Sequence, residues 1–142
     1  MIIVLDTNVL VSVLLKADSS AGAIVRLVAK GSLRLAYDAR VLIEYREVLS
    51  RPKFGLKKKE VDVLLLQIEE EGELVTAAPL EGDLPDPDDK PFLELALAIS
   101  SRVLVTGNKK HFPAEICKHV LVMSPSEFVP FHLKHSKKDD NF

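Results

Sequence analysis

The acidic residues of this chain sit where a folded chain could gather them. Asp6 ends an unbroken apolar run, Ile2 to Leu5. Asp86, Asp88 and Asp89 close a proline-rich loop and precede a helical apolar pattern. Glu44 lies on another helical pattern, at about 100° from the centre of the apolar stripe for about 3.6 residues per turn. Asn108 follows a further apolar run. Three carboxylates brought to one cavity repel one another and raise each other's pKa. A divalent cation removes that conflict. Oxygen ligands, with no His or Cys in the pattern, favour Mg²⁺ or Mn²⁺ over zinc. Such an ion lowers the pKa of a bound water and neutralises charge on a phosphoryl oxygen.

The elements that must position these residues follow from the pattern of the chain. Ile2–Leu5 is aliphatic without alternation, which predicts a strand buried on both faces. Residues 7–16 read as a helix capped by Thr7 or Asn8, with Leu10, Val13 and Leu14 on one face. A break at Asp18-Ser19-Ser20 precedes a helix over 21–30 that ends at Gly31. Leu33, Leu35 and Tyr37 alternate as in a strand. Asp38 caps a helix over 39–50 whose buried stripe is Val41, Leu42, Tyr45, Val48 and Leu49, and Pro52 stops it. A helix over 57–72 leads to a short edge strand, 74–76.

Residues 79–91 carry four of the eight prolines and form a loop. A helix then runs from Asp88 or Asp89 to Ser101, followed by a buried strand, 102–106. A short helix around Pro113–Cys117 and a last strand, 119–123, come next. Ser124-Pro-Ser-Glu127 is a capping box with proline at the first helical position. Strands separated by helices imply crossover connections, hence an α/β fold with a parallel sheet and helices on both faces. In such a sheet, residues after strands and residues at helix starts meet at one edge, where ligands bind.

The totals fit one domain, 1–131, with a polar, frayed tail over 132–142. The single cysteine, Cys117, forms no internal disulfide, so a reducing cytoplasm is the expected compartment. No apolar run reaches the roughly 18–20 residues of a membrane span, and no secretory signal is recognisable. The net charge of −2 argues against a nucleic-acid binder acting through bulk positive charge. It leaves room for an enzyme whose carboxylates hold a metal.

Four segments occur in order: Val4-Leu-Asp-Thr-Asn-Val-Leu, Glu44-Tyr-Arg-Glu-Val-Leu-Ser-Arg-Pro-Lys-Phe54, Asp86-Pro-Asp-Asp-Lys-Pro-Phe-Leu-Glu-Leu-Ala96 and Val103-Leu-Val-Thr-Gly-Asn108. Together they resemble PIN-domain proteins, in particular the VapC-like toxin components of bacterial or archaeal toxin–antitoxin pairs. The resemblance extends from residue 1 to about 130. It implies a three-layer α/β/α sandwich with a central, mostly parallel sheet of 4–5 strands. It also implies a Mg²⁺- or Mn²⁺-dependent ribonuclease that leaves a 5′-phosphate and a 3′-hydroxyl.

The family's catalytic and metal-binding acids match Asp6, Glu44 and Asp89. Asp86 is an outer ligand. Thr7 and Asn8 match the pair that braces the site, and Thr106 is counted with them. The family often has aspartate after Thr-Gly, where this chain has Asn108. Asparagine can coordinate through its carbonyl but brings no charge. Arg51, Lys53, Lys109 and Lys110 at the loop mouths are candidates for RNA phosphates. The expected partners are RNA, a small antitoxin and a second copy of the chain, with no membrane.

Each residue also has an ordinary structural reading. An Asp after a buried strand is more often a cap than a ligand, and Asp88 at a helix start serves the helix dipole. Lys57–Lys59 read as a solvated helix start, and His111 as a loop residue, since no second His stands at ligand spacing. The competing functional class is a catalytically impaired PIN fold that binds proteins, favoured by Asn108. A phosphatase would need an aspartate at position 8, and a dinucleotide enzyme a glycine-rich turn after the first strand. Neither is present.

Overall fold

The computed structural model of the protein describes residues 1–15 and 19–139. The side chains of Val13 and Leu14, expected on a buried helix face, lie outside the described part. So do residues 16–18, with Asp18 of the expected break, and the end of the tail, 140–142.

Five strands form one sheet: β1 (Ile2–Leu5), β2 (Arg34–Tyr37), β3 (Glu73–Leu74), β4 (Val103–Val105) and β5 (Leu121–Met123). Their order is β3-β2-β1-β4-β5 and every pairing is parallel. Ile3 pairs with Leu35 on one side of β1, and Val4 with Leu104 on the other. Ile3, Val4 and Leu5 are all fully buried, so both faces of the central strand are covered. That is why the run shows no alternation. The chain fills one side of β1 first and then crosses to the other, so the order reverses between β1 and β4. In open α/β sheets the ligand crevice lies at such a point, beyond the carboxyl ends of the strands.

The helices are α1 (Thr7–Leu15), α2 (Ser20–Ala29), α3 (Ala39–Leu49), α4 (Lys58–Glu71), α5 (Lys90–Ala98) and α6 (Pro125–Asp139). Helices α3, α4 and α5 pack together and against β1, β2 and β4, while α2 joins α1 to α6. Local signals set the ends. Ser19 caps α2 by accepting from Gly22 N–H. Gly31, at φ +77°, closes it with the Gly31 N–H on Val28 O at 3.0 Å and the Ser32 N–H on Leu27 O at 3.0 Å, a Schellman pair. The capping box forms reciprocally: Glu127 N–H donates to Ser124 Oγ at 3.2 Å and Ser124 N–H to Glu127 Oε1 at 3.0 Å.

Three expectations are corrected. Pro113–Cys117 is a turn, with the N–H groups of Ile116 and Cys117 both on Pro113 O. Helix nucleation fixes several residues for one bond, and the chain here turns into β5 before it can propagate. Lys109–His111 forms a single 3₁₀ turn instead. Helix α5 stops at Ala98 rather than Ser101 because Ile99 is already extended. The tail is not frayed from His132, since α6 continues to Asp139. His132 is 5% exposed, and its ring lies 5.6 Å from that of Phe128, near parallel. Phe131 and His135 also meet, in a tilted pair with ring centres 4.0 Å apart. Aromatic and imidazole rings at helical spacing supply a packing face that a polar composition conceals.

Candidate metal centre

The first carboxylate is placed by the central strand. Asp6 follows β1, and its N–H continues the ladder onto Val105 O at 2.9 Å. Its side chain is buried. Oδ2 accepts from Thr106 Oγ1 at 2.7 Å and from Asn8 Nδ2 at 3.3 Å. Asn8 also accepts from the Gly107 N–H at 3.1 Å, so one amide ties the loop after β1 to the loop after β4. Gly107 passes so close that an added Cβ would lie 3.3 Å from Asn8 Oδ1. Thr106 Oγ1 accepts from the Asn108 N–H at 3.1 Å.

Helix α3 brings the second. Asp38 caps it, accepting from Val41 N–H at 3.0 Å, and the Tyr45 hydroxyl donates to Leu5 O. This bond fixes the rotation of α3 at the end of β1 and turns the preceding residue, half-buried Glu44, toward Asp6. Thr7 Oγ1 donates to Glu44 Oε2. Helix propensity sets the existence of α3, but a buried tyrosine sets its register.

The proline-rich loop brings the third. Asp86 accepts from Asp88 N–H at 3.0 Å, and Pro87 opens the 3₁₀ turn Pro87–Asp89 that runs into α5. Asp89 is buried there. Its Oδ2 meets His111 Nδ1 at 3.0 Å and has no other partner among the described residues. Glu94 anchors the start of this loop by accepting from the Leu80 N–H at 2.6 Å.

Burial pushes the carboxyls of Asp6, Glu44 and Asp89 above the usual range. For Glu44 the charges of Asp6 and Asp88 add to burial, while the Thr7 hydroxyl opposes it. Asp89 is pushed up to about 6 by burial, then by Asp6 and Asp86, with His111 opposing. A buried carboxylate oxygen that meets only a histidine, together with three crowded acids, is a donor set that a divalent cation satisfies. Asp6, Glu44 and Asp89 face one open cleft of about 450 Å³, which also takes in Asp86 and Asp88. The sequence-derived residues therefore fit a metal.

Not every candidate reaches the cleft. Asn108 enters the network through its main-chain N–H, and its side chain is not among those lining the cleft. Arg51 lines the rim and pairs with Glu47 at 3.1 Å. Lys53 lies over the Phe54 ring, 5.1 Å from its centre. Lys109 turns away to Glu127 at 3.0 Å, and Lys110 is exposed. His111, expected as a loop residue, lines the cleft. The available signal was its place in the loop after β4, at the sheet edge that carries Asp6.

The sequence matches the family model described as PIN domain over residues 2–110. Among solved structures, the chain is similar to one in the crystal structure of VapBC2 from Rickettsia felis bound to a DNA fragment from their promoter. The TM-score is 0.55 at 24% identity, with 87% of this chain and 98% of that chain covered. At that identity the likeness speaks for the fold. Among curated proteins none matches.

Proposed function

The chain belongs to the PIN-domain family, and from that premise we propose that it is a Mg²⁺- or Mn²⁺-dependent endoribonuclease, the toxin of a toxin–antitoxin pair in the cytoplasm. The observation that carries this reading is the convergence of Asp6, Glu44 and Asp89 on one cleft at the sheet's switch point, with no arginine or lysine paired to any of them among the described residues. These three residues would hold the ion. When bound, it lowers the pKa of a water and offsets charge on a phosphoryl oxygen.

The protein's own groups do the remainder. Thr106 and Asn8 hold Asp6 through Oδ2. Thr7 holds Glu44 through Oε2. Arg51 at the rim offers a fork of donors to a flanking phosphate. Lys53 and Lys110 stand outside the cleft as weaker candidates for backbone contact.

The toxin assignment is supported by the four ordered motifs and by likeness to a chain of the VapBC2 structure. An antitoxin and a second copy of the chain are the proposed protein partners. Ile43 on α3 and Val63 and Leu66 on α4 are exposed apolar surface available to them. No helix among the described residues is long and apolar enough to cross a membrane.

The test is cleavage of a panel of RNAs with Mn²⁺ by the wild type, Asp6→Asn and Asn108→Asp. The wild type should cut, Asp6→Asn should be folded and inert, and Asn108→Asp should cut at least as well. Activity retained in Asp6→Asn would sink the assignment. Neutral Asn108, with its side chain off the cleft lining, favours the second reading, a PIN fold that acts through protein contacts. Absence of thermal stabilisation by Mn²⁺ would select it.

A further inference from the structure

Asp86, Asp89 and His111 each offer one ligand atom, and these atoms lie within 4.8 Å of one another. His111 Nδ1 is 3.0 Å from Asp89 Oδ2, and that buried oxygen has no other partner among the described residues. Two groups this close need a shared reason. For bonds of about 2.1 Å, ligands of one octahedral ion stand about 3.0 Å apart when cis and about 4.2 Å apart when trans. The His111–Asp89 pair thus has the spacing of adjacent ligands on one ion.

The surroundings hold His111 in place. Its N–H donates to Asn108 O at 3.1 Å, closing the 3₁₀ turn. Phe112 beside it is buried, and Lys109 is tethered to Glu127. Both ends of the turn are fixed, which leaves the imidazole over the cleft.

Resting on the metal-dependent reading above, we propose that Asp86, Asp89 and His111 form a second divalent-cation subsite, sharing Asp89 with the ion held by Asp6 and Glu44, and that it takes a first-row transition-metal ion such as Mn²⁺ in preference to Mg²⁺. The preference follows from ligand chemistry. Imidazole nitrogen suits transition metals, whereas Mg²⁺ is served by oxygen. Charge also closes: Asp6, Glu44, Asp86 and Asp89 carry four negative charges against two dications, with a neutral imidazole and a neutral Asn108. The chain supplies its fourth ligand position from a histidine three residues beyond the asparagine.

The experiment is Mn²⁺ binding to the full chain, read by equilibrium stoichiometry and by pulsed electron paramagnetic resonance, which detects ¹⁴N coordinated to Mn²⁺. The wild type should bind two Mn²⁺ with imidazole nitrogen modulation, and excess Mg²⁺ should displace one ion more readily than the other. His111→Ala should bind one ion and lose the modulation. His111→Asp restores an oxygen ligand, so it should bind two ions, lose the modulation and no longer discriminate against Mg²⁺ at the second position. Circular dichroism checks that both variants are folded. Mn²⁺ binding without nitrogen modulation in the wild type, or binding unchanged in His111→Ala, overturns the subsite and leaves the Asp6 site standing. No Mn²⁺ binding at all overturns both.

Discussion

Two groups of carboxylates stand at the same end of the sheet, and they are satisfied differently. Asp38 follows β2 as Asp6 follows β1, and Glu94 is buried on α5 as Asp89 is buried just before it. In the first group all four carboxylate oxygens have partners. Asp38 Oδ1 takes the Val41 N–H and Oδ2 takes Arg40, at 2.8 Å from Nη2. Glu94 takes Arg40 at 2.6 Å and the Leu80 N–H at 2.6 Å. One arginine completes this cluster, so it is a brace. In the second group no arginine or lysine is paired with Asp6, Glu44 or Asp89 among the described residues, and one oxygen of Asp89 meets only His111. Buried charges are kept when they are paired or coordinate a metal. The first cluster carries its cation in the sequence; the second has none among the described residues, and the proposed function is what supplies it with a divalent one.

That contrast gives opposite outcomes for similar substitutions. Asp6→Asn should lower RNA cleavage by on the order of a thousandfold or more, since removal of a single preorganised donor already costs about 10²–10³ in rate. Its melting temperature without metal should be equal or higher, because a crowded charge is gone. Arg40→Ala should do the reverse. Glu94 is left buried without its ion pair, and denaturant unfolding should show a loss of about 1–3 kcal/mol, with cleavage falling only as the loop holding Asp89 loosens. If Arg40→Ala abolished cleavage without loss of stability, the two clusters would not be the separate devices described here.

Metal and pH sharpen the comparison further. Burial and the neighbouring acids push the Asp89 carboxyl up to about 6 in the fold, above the roughly 3.9 of an unfolded aspartate. Between those pH values the native state holds a proton that the unfolded chain has released. Stability of the metal-free protein therefore falls as pH rises through this window. Stabilisation by Mn²⁺ should grow over the same window, because the ion displaces that proton. Thermal melts at stepped pH, with EDTA and with Mn²⁺, measure both slopes. Asn8→Ala removes a brace and not a ligand, so cleavage should fall about 10–100-fold with Mn²⁺ still bound. Lys109→Ala is the smallest expected effect. It breaks an exposed pair with Glu127, costs under about 1 kcal/mol, and should lower cleavage less than any other substitution here, acting only through the turn that carries His111.

What was readable in the sequence follows the range of the forces involved. The unbroken run before Asp6, the Asp38 cap, the Gly31 stop and the Ser124–Glu127 box are local, and the structure shows each of them. Parallel pairing followed from the helices between strands. The reversal of strand order at β1, which sets the position of the cleft, depends on pairings far apart in sequence. The place of Glu44 was legible only as the border of a stripe, since a long-range bond from Tyr45 to Leu5 fixes it. His111 meets Asp89, which is distant in sequence, while His132 stacks on Phe128 one turn earlier in α6. A lone histidine has no spacing to betray it.

On the proposed function, the acids gathered at the end of β1 hold a divalent cation. Calorimetric titration of Mn²⁺ into the metal-free protein at pH 7.5, for the wild type and for Asp6→Asn, tests it most directly. Saturable binding in the wild type, weakened at least about tenfold in Asp6→Asn while the Arg40–Glu94 brace keeps the fold intact, is the predicted result. A wild type that takes up no ion, or an Asp6→Asn variant that binds as tightly, would contradict it.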